Sequence, residues 1–406
     1  MDRRAIVVGA GLAGTAAAAA LAARGWRISL IDAEPGPGQG ASGNRAGVLR
    51  PLPSVDDNRL ARLTRAAFRQ AVDHLHALAR SGAPVRWQQT GVLHLARDAR
   101  HEATQQRVVA EQRPAPGEFC FVDREPASRL TGWPVSSGGW WFPGGGWVDP
   151  ASLCRANLAR HASAIATHFS RPVDTIAFDA GLWRACDAAG QPIGEAPVLV
   201  LANAAAARRF AVASHLPLRE ARGQVTHLPA APGSPPPIVV CRLGYVTPPV
   251  DDLRCAGATF AIGDRDSGLR EADQRENLAR LELMLPGFRS DVDPDRLGGR
   301  VGFRPLSPDR LPMIGQIADA REATAGRPAR TLDQLPRVPG LYVVDGFGAR
   351  GIVWSALAGE LLACQITGER LPLADELVAA VDPGRFVLRP RPVPPGGQNG
   401  RKTCGN

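Results

Sequence analysis

The sequence predicts an α/β chain in which a nucleotide-binding parallel unit is joined to an antiparallel sheet. Three observations carry that expectation. The chain opens as strand, glycine turn, helix, second strand and terminal acid, ending at Asp32. A second strand, glycine turn and helix recur from Leu341 onward. Between them lie short β-rich runs broken by Pro and Gly.

Arg4–Val8 is short and β-branched, the pattern of a buried strand. It runs into Gly9-Ala-Gly11-Leu-Ala-Gly14, and Thr15–Arg24 is an Ala-rich helix stopped by Gly25. Trp26–Ile31 is a second strand, with Asp32 at its end, 18 residues after Gly14. The spacing has a physical sense. Gly9 permits the tight turn, Gly11 lets backbone approach a pyrophosphate, and Gly14 lets helix and strand pack closely. The helix N-terminus offers free N–H groups to the anion, and Asp32 accepts from a ribose hydroxyl. Asp32 in place of an arginine argues against a 2′-phosphate. Gly40–Gly47, with Ser42, Gly43 and Asn44, is a second small-residue loop able to reach the same pyrophosphate.

Pro197–Ala202 fits a central parallel strand. Gly223–Leu228, Ile238–Cys241 and Tyr245–Thr247 fit an antiparallel sheet, and Glu271–Leu285 a helix closed by Pro286-Gly287. Leu341–Asp345 is a strand leading through Gly346-Phe-Gly348-Ala-Arg350-Gly351 into a helix over Ile352–Ile366. Two such corners suit a long ligand held at both ends. FAD is one, with the late helix near the pyrimidine edge of the flavin and Arg350 supplying positive charge there.

Composition narrows the chemistry. The 406 residues suffice for two or three domains, and 44% hydrophobic with 21% charged residues is ordinary for a globular chain. A net charge of +9 favours an anionic partner. Of the 48 basic residues only Lys402 is a lysine, which removes Schiff-base chemistry, pyridoxal enzymes and the G-K-[ST] phosphate loop. The seven cysteines are never closer than 14 residues, so no zinc ribbon or C-x-x-C exists, and they read as reduced cytoplasmic thiols. His74 and His76 point apart on a helix and are poor co-ligands; no metal is expected. Ala5–Ala23 is uncharged, but 13 of its 19 residues are Gly or Ala, so neither membrane insertion nor export is expected.

Arg59, Arg62, Arg65 and Arg69 form a stripe on a helix whose Leu60, Leu63, Ala67 and Leu75 face inward. A solvated helix face explains it better than phosphate contacts. Trp133, Trp140, Trp141 and Trp147 surround the glycines of 138–146, and packing explains them better than base stacking.

Read in order, Gly9-x-Gly11-x-x-Gly14 with Asp32, Ala41–Gly47, Arg222–Val225, Gly244–Pro248, Arg304 with Asp309–Gly315, and Asp345–Gly351 resemble the D-amino-acid oxidase and glycine oxidase superfamily. More closely they resemble the FAD-dependent oxidoreductase part of the MnmC family, bifunctional tRNA 5-methylaminomethyl-2-thiouridine biosynthesis proteins. Gly146–Cys154 and Gly257–Thr259 add to the likeness, which covers most of residues 4–373.

The resemblance implies a Rossmann-type FAD-binding domain with an interleaved antiparallel-sheet substrate domain. FAD binding is implied for 1–80, 149–212 and 336–388, the substrate domain for 81–148 and 213–335, and a disordered tail for 389–406. Gly9, Gly11, Gly14, Asp32, Ser42, Gly43, Asn44, Gly47, Val173, Gly346, Gly348, Arg350, Gly351 and Ile352 would contact FAD. Arg304 would anchor a substrate carboxylate, since a planar guanidinium matches it in bidentate fashion, and Tyr245 would line the pocket. The implied substrate is a tRNA wobble uridine bearing 5-carboxymethylaminomethyl, converted to the aminomethyl form with loss of glyoxylate in the cytoplasm. Two alternatives stand beside it: an oxidase of glycine, sarcosine or small D-amino acids, and a tRNA-binding protein with a structural flavin. MnmC proteins carry a methyltransferase domain ahead of this part. The chain opens on the first strand, which implies a stand-alone oxidoreductase, or a fragment, and possible cooperation with a separate methyltransferase.

Overall fold

The computed structural model describes residues 2–288, 292–325 and 329–388; the tail expected to be disordered, 389–406, lies outside them. The expected parallel unit is one six-stranded sheet in the order Met313–Ala318, Arg337–Asp345, Val198–Leu201, Arg4–Val8, Arg27–Ile31 and Ile165–His168. All neighbours are parallel except Met313–Ala318, which runs antiparallel on the edge. The edge strand lies on the substrate-domain side of the boundary expected at 335. Residues 313–318 already belong to this sheet, because Met313–Gln316 pair with Tyr342–Asp345.

The first helix, Leu12–Ala22, has nine buried residues of eleven, so alanine serves packing here rather than solvent-exposed propensity. It lies against the late helix Gly351–Thr367. A Cβ on Gly359 would overlap the Ala16 carbonyl, so this glycine sets how closely the two helices approach. Both helices therefore point their N-termini at the same place, and a Cβ on Gly351 would stand 2.9 Å from Leu12 Cδ1.

A nine-stranded sheet forms the second layer. Its long strand, Arg219–Pro229, pairs antiparallel with Leu253–Gly257, Ala261–Ile262 and Gly298–Leu306. The helix Glu271–Met284 packs on it through buried Gln274, Asn277, Leu281 and Met284. Asn277 donates to the Gln224 carbonyl and Thr226 hydroxyl, both at 3.0 Å. Gly47–Leu49, Gly146–Val148 and Trp87–Gln88 form a small separate sheet.

The tryptophans pack. Trp140 and Trp147 are buried, and Trp133 donates its ring N–H to the Pro286 carbonyl at 2.9 Å while meeting Phe288 edge-on. On the helix Arg59–Arg80, Leu63, Ala67 and Leu75 are buried. Three of its arginines are taken up by acids: Arg62 pairs with Glu376, Arg65 with Asp57 and Arg69 with Glu118. His74 meets Asn157 and His76 meets Trp87, on diverging sides. Among the described residues no group of metal-binding side chains occurs, and no helix is long and apolar enough to cross a membrane.

Candidate active site

A cleft of about 690 Å³ runs between the two large sheets. The glycine turn supplies its floor. Gly9 has φ +109°, and a Cβ there would overlap the Ala202 carbonyl; at Gly14 it would overlap the Gly9 carbonyl. Gly14 thus welds helix to strand behind the cleft and does not line it. Asp32 lines one end and is already engaged. Its carboxylate accepts the Ala10 N–H and, at 2.8 Å, the Glu34 N–H, which fixes the turn to the second strand. Val173 lines the same end.

Ser42 sits against Gly11, and its hydroxyl accepts the Leu12 N–H at 3.1 Å, at the helix N-terminus where an anion would compete for it. Gly43 lies off the lining, under the Arg300 guanidinium, which donates to the Gln39 and, at 2.6 Å, Gly40 carbonyls. Gly47 lines the cleft and faces Ile352, whose Cδ1 would have to shift to admit a Cβ. Asn44 was expected to touch the cofactor. It lines the cleft but donates to the Ala46 carbonyl at 2.8 Å and the Tyr245 hydroxyl at 2.9 Å, tying the loop to the second sheet.

The late corner closes the other side. Gly346 and Gly348 have φ +76° and +57°, values costly for other residues. Gly348, Arg350, Gly351 and Ile352 line the cleft; Gly346 lies behind it, near Met313 and Ser307. Arg350 has no hydrogen bond or ion pair from its side chain among the described residues. Burial, with Arg50 and Arg310 nearby, lowers its pKa to about 10. Asp345, missed by sequence reasoning, is buried on the cleft floor. Its Oδ1 accepts the Gly346 N–H at 2.6 Å, its Oδ2 makes no hydrogen bond of normal geometry although the Ala204 N–H lies near the carboxylate, and burial raises its pKa to about 7. Asn203 Oδ1, also at the cleft, is a second buried acceptor without a donor.

These features fit FAD. Two helix N-termini without side-chain caps from their own N-cap residues meet beside a glycine turn that admits no side chain, the requirement of a pyrophosphate. The orphaned acceptors of Asp345 and Asn203 call for hydroxyl donors, which the sugar and ribityl chains of a flavin dinucleotide carry.

The wall opposite comes from the second sheet. Arg304 and Tyr245 both line it. Tyr245 is enclosed, which pushes its phenol above its ordinary value. The Arg304 guanidinium lies over Gly223, where a Cβ would overlap it, and donates one bond, to the Thr259 carbonyl at 3.1 Å. It has no carboxylate partner among the described residues, and burial lowers its pKa. Arg50 was also missed; it lines the cleft, donates to the Pro51 carbonyl at 3.0 Å and lies 5.8 Å from the Phe142 ring centre. Neither Arg50 nor Asp345 stands out among 47 arginines or in a strand end by pattern alone. Among lining residues from the second sheet and its loops, Arg242, Arg300 and Arg304 occur and no acid.

Such a wall selects an anion, and the desolvated Arg304 meets a carboxylate without first breaking an ion pair.

The sequence matches the model of the family described as FAD dependent oxidoreductase over residues 4–365. It is 58% identical over 388 residues to the tRNA 5-methylaminomethyl-2-thiouridine biosynthesis bifunctional protein MnmC of Aromatoleum aromaticum, covering 96% of this chain and 60% of that protein. The protein of the same name from Azoarcus sp. is 52% identical, with 96% and 61% covered. The chain thus spans about three fifths of the length of these relatives. Glycine oxidase from Geobacillus kaustophilus has the same fold, with a TM-score of 0.74 at 22% identity over 94% of this chain and 98% of that one.

Proposed function

The chain belongs to the FAD dependent oxidoreductase family, its cofactor is FAD, and on that premise we propose that it oxidises the C–N bond of a glycine-like side chain on a tRNA wobble uridine. The substrate would be 5-carboxymethylaminomethyluridine, with or without the 2-thio group, acted on in the cytoplasm. The observation that carries this is Arg304, a half-buried cation without a carboxylate partner among the described residues, in the same cleft as both glycine corners.

In this reading Arg304 holds the carboxylate of the carboxymethyl group, and Tyr245 closes the pocket behind it. The cleft excludes water and orients the methylene. FAD, when bound, would supply the two-electron oxidant that takes a hydride from that methylene. The amine nitrogen gives up its proton, leaving a C=N bond between nitrogen and the carboxymethyl carbon. Water then adds across that bond and the C–N link breaks, giving the aminomethyl nucleoside and glyoxylate. No side chain is needed as general base beyond solvent. The acid-free wall with Arg242, Arg300 and Arg304 supports a polyanionic substrate. The identity to the two MnmC proteins supports the nucleoside, and a methyltransferase acting next would take the aminomethyl product.

The test is anaerobic incubation of the FAD-loaded protein with carboxymethylaminomethyl tRNA, and separately with glycine or sarcosine. Loss of flavin absorbance with the tRNA and release of one glyoxylate are expected. Bleaching by free amino acids alone would return the protein to the amino-acid oxidases. Binding of tRNA without bleaching would make the flavin structural.

A further inference from the structure

Six large apolar side chains stand exposed among the described residues, and two of them, Leu243 and Phe260, line the cleft. Phe260 is 50% exposed and Leu243 48%. An aromatic ring left half in water is ordinary on a mobile loop, but the backbone under Phe260 is pinned from every side. The Thr259 N–H donates to the Gln224 carbonyl at 3.2 Å, and the Thr259 hydroxyl accepts the Gln224 N–H at 3.0 Å. Arg280 donates to the Ala258 carbonyl at 2.7 Å. Ala261 and Ile262 pair with Arg222 and Ala221 respectively. Fully buried Arg222 then holds the following loop through the Asp266 and Gly268 carbonyls, both at 2.6 Å, and through Asp273. The backbone that carries the ring is therefore fixed at the cleft, which the ring lines.

Its neighbour decides what it faces. The Arg304 guanidinium lies 5.9 Å from the Phe260 ring centre and donates to the carbonyl of the preceding residue, Thr259. A substrate whose carboxylate rests on Arg304 has its amine two bonds away, and whatever the amine carries emerges at this rim. For glycine or sarcosine that is at most a methyl group, which leaves the ring idle. For a carboxymethylaminomethyl pyrimidine it is a planar ring joined by one methylene. We propose that Phe260 is the stacking wall for the pyrimidine ring of the substrate, with Leu243 as its apolar partner across the rim, so that this pair sets selectivity for a nucleobase-borne amine. The assignment rests on the proposed function. Base–aromatic stacking tolerates any base, so selectivity arises from coupling the stack to the carboxylate held at Arg304.

The test uses the FAD-loaded chain and an anticodon stem-loop RNA bearing 5-carboxymethylaminomethyluridine. Phe260→Ala should weaken binding of this RNA about ten- to a hundredfold, raise KM, and leave kcat within about threefold, as expected for loss of uniform binding. Phe260→Tyr should restore binding, and Phe260→Leu, apolar without a π face, should not. A small carboxylate such as acetate, titrated by the change in flavin absorbance, reports Arg304 separately and should bind Phe260→Ala as it binds the parent. Equal RNA binding by parent and Phe260→Ala overturns the stacking wall while leaving the proposed function intact. Parallel loss of RNA and acetate binding makes Phe260 a support for Arg304 and overturns it too. If the parent neither binds the RNA nor is bleached by it, the proposed function falls, and the stacking wall with it.

Discussion

Two regions of this molecule are rich in arginine and use it in opposite ways. On the helix Arg59–Arg80, Arg62, Arg65 and Arg69 each have a carboxylate within ion-pair distance, from Glu376, Asp57 and Glu118. On the cleft walls Arg50, Arg300, Arg304 and Arg350 have none among the described residues; they lean on backbone carbonyls or, for Arg350, on no hydrogen bond at all. The first arrangement is spent within the fold, and partly exposed pairs of this kind contribute about 0–1 kcal/mol each. The second keeps desolvated charge in reserve for a ligand.

This contrast can be broken by substitution. Arg304→Ala should lower kcat/KM on the modified RNA by about thirty- to a thousandfold, the loss of a charge-assisted contact of about 2–4 kcal/mol. Turnover with unchanged apparent affinity would remove the anchor assignment. Asp345 is the acidic counterpart, a buried group short of a partner. Asp345→Ala should weaken FAD binding about tenfold, read by flavin release during dilution. Its charge also sets a pH dependence in the FAD-free protein. Burial raises its pKa to about 7, so folding favours the protonated form. The neutral acid's contribution is whole below about pH 4, the unfolded value, and is lost as pH rises to about 7. The FAD-free parent should therefore lose several degrees of Tm between pH 5 and 8 relative to Asp345→Asn, and parallel curves for the two would show that Asp345 is not the titrating group.

Tyr245→Phe removes the hydroxyl bonded to Asn44 but keeps the ring, and should cost about three- to tenfold in kcat/KM, with little change in Tm. Arg65→Ala, on the paired helix, should cost under about 1 kcal/mol of stability and nothing in turnover. A large loss of activity there would show that the helix face reaches the substrate.

The cofactor end of the site was legible because it is made of backbone. A glycine turn, a helix start and an acid at a strand end are contiguous, and their spacing states their geometry. The roles still shifted in detail. Gly14, Gly43 and Gly346 support the lining rather than form it, and Asn44 bridges to Tyr245. Arg304 was reached through resemblance, since its motif gives no local sign that its guanidinium is half-buried without an acid beside it. Arg50, Asp345 and Phe260 were not reached, because what distinguishes each is the absence of a partner.

The amino-acid order alone determined the two nucleotide corners and the short strands of the second sheet, since turn chemistry and side-chain period act over a few residues. Only the tertiary structure decided which charges are neutralised, where the edge strand 313–318 joins, and that strands from opposite halves of the chain enclose one cleft. Charge pairing and desolvation depend on neighbours tens or hundreds of residues away, and no local pattern encodes them.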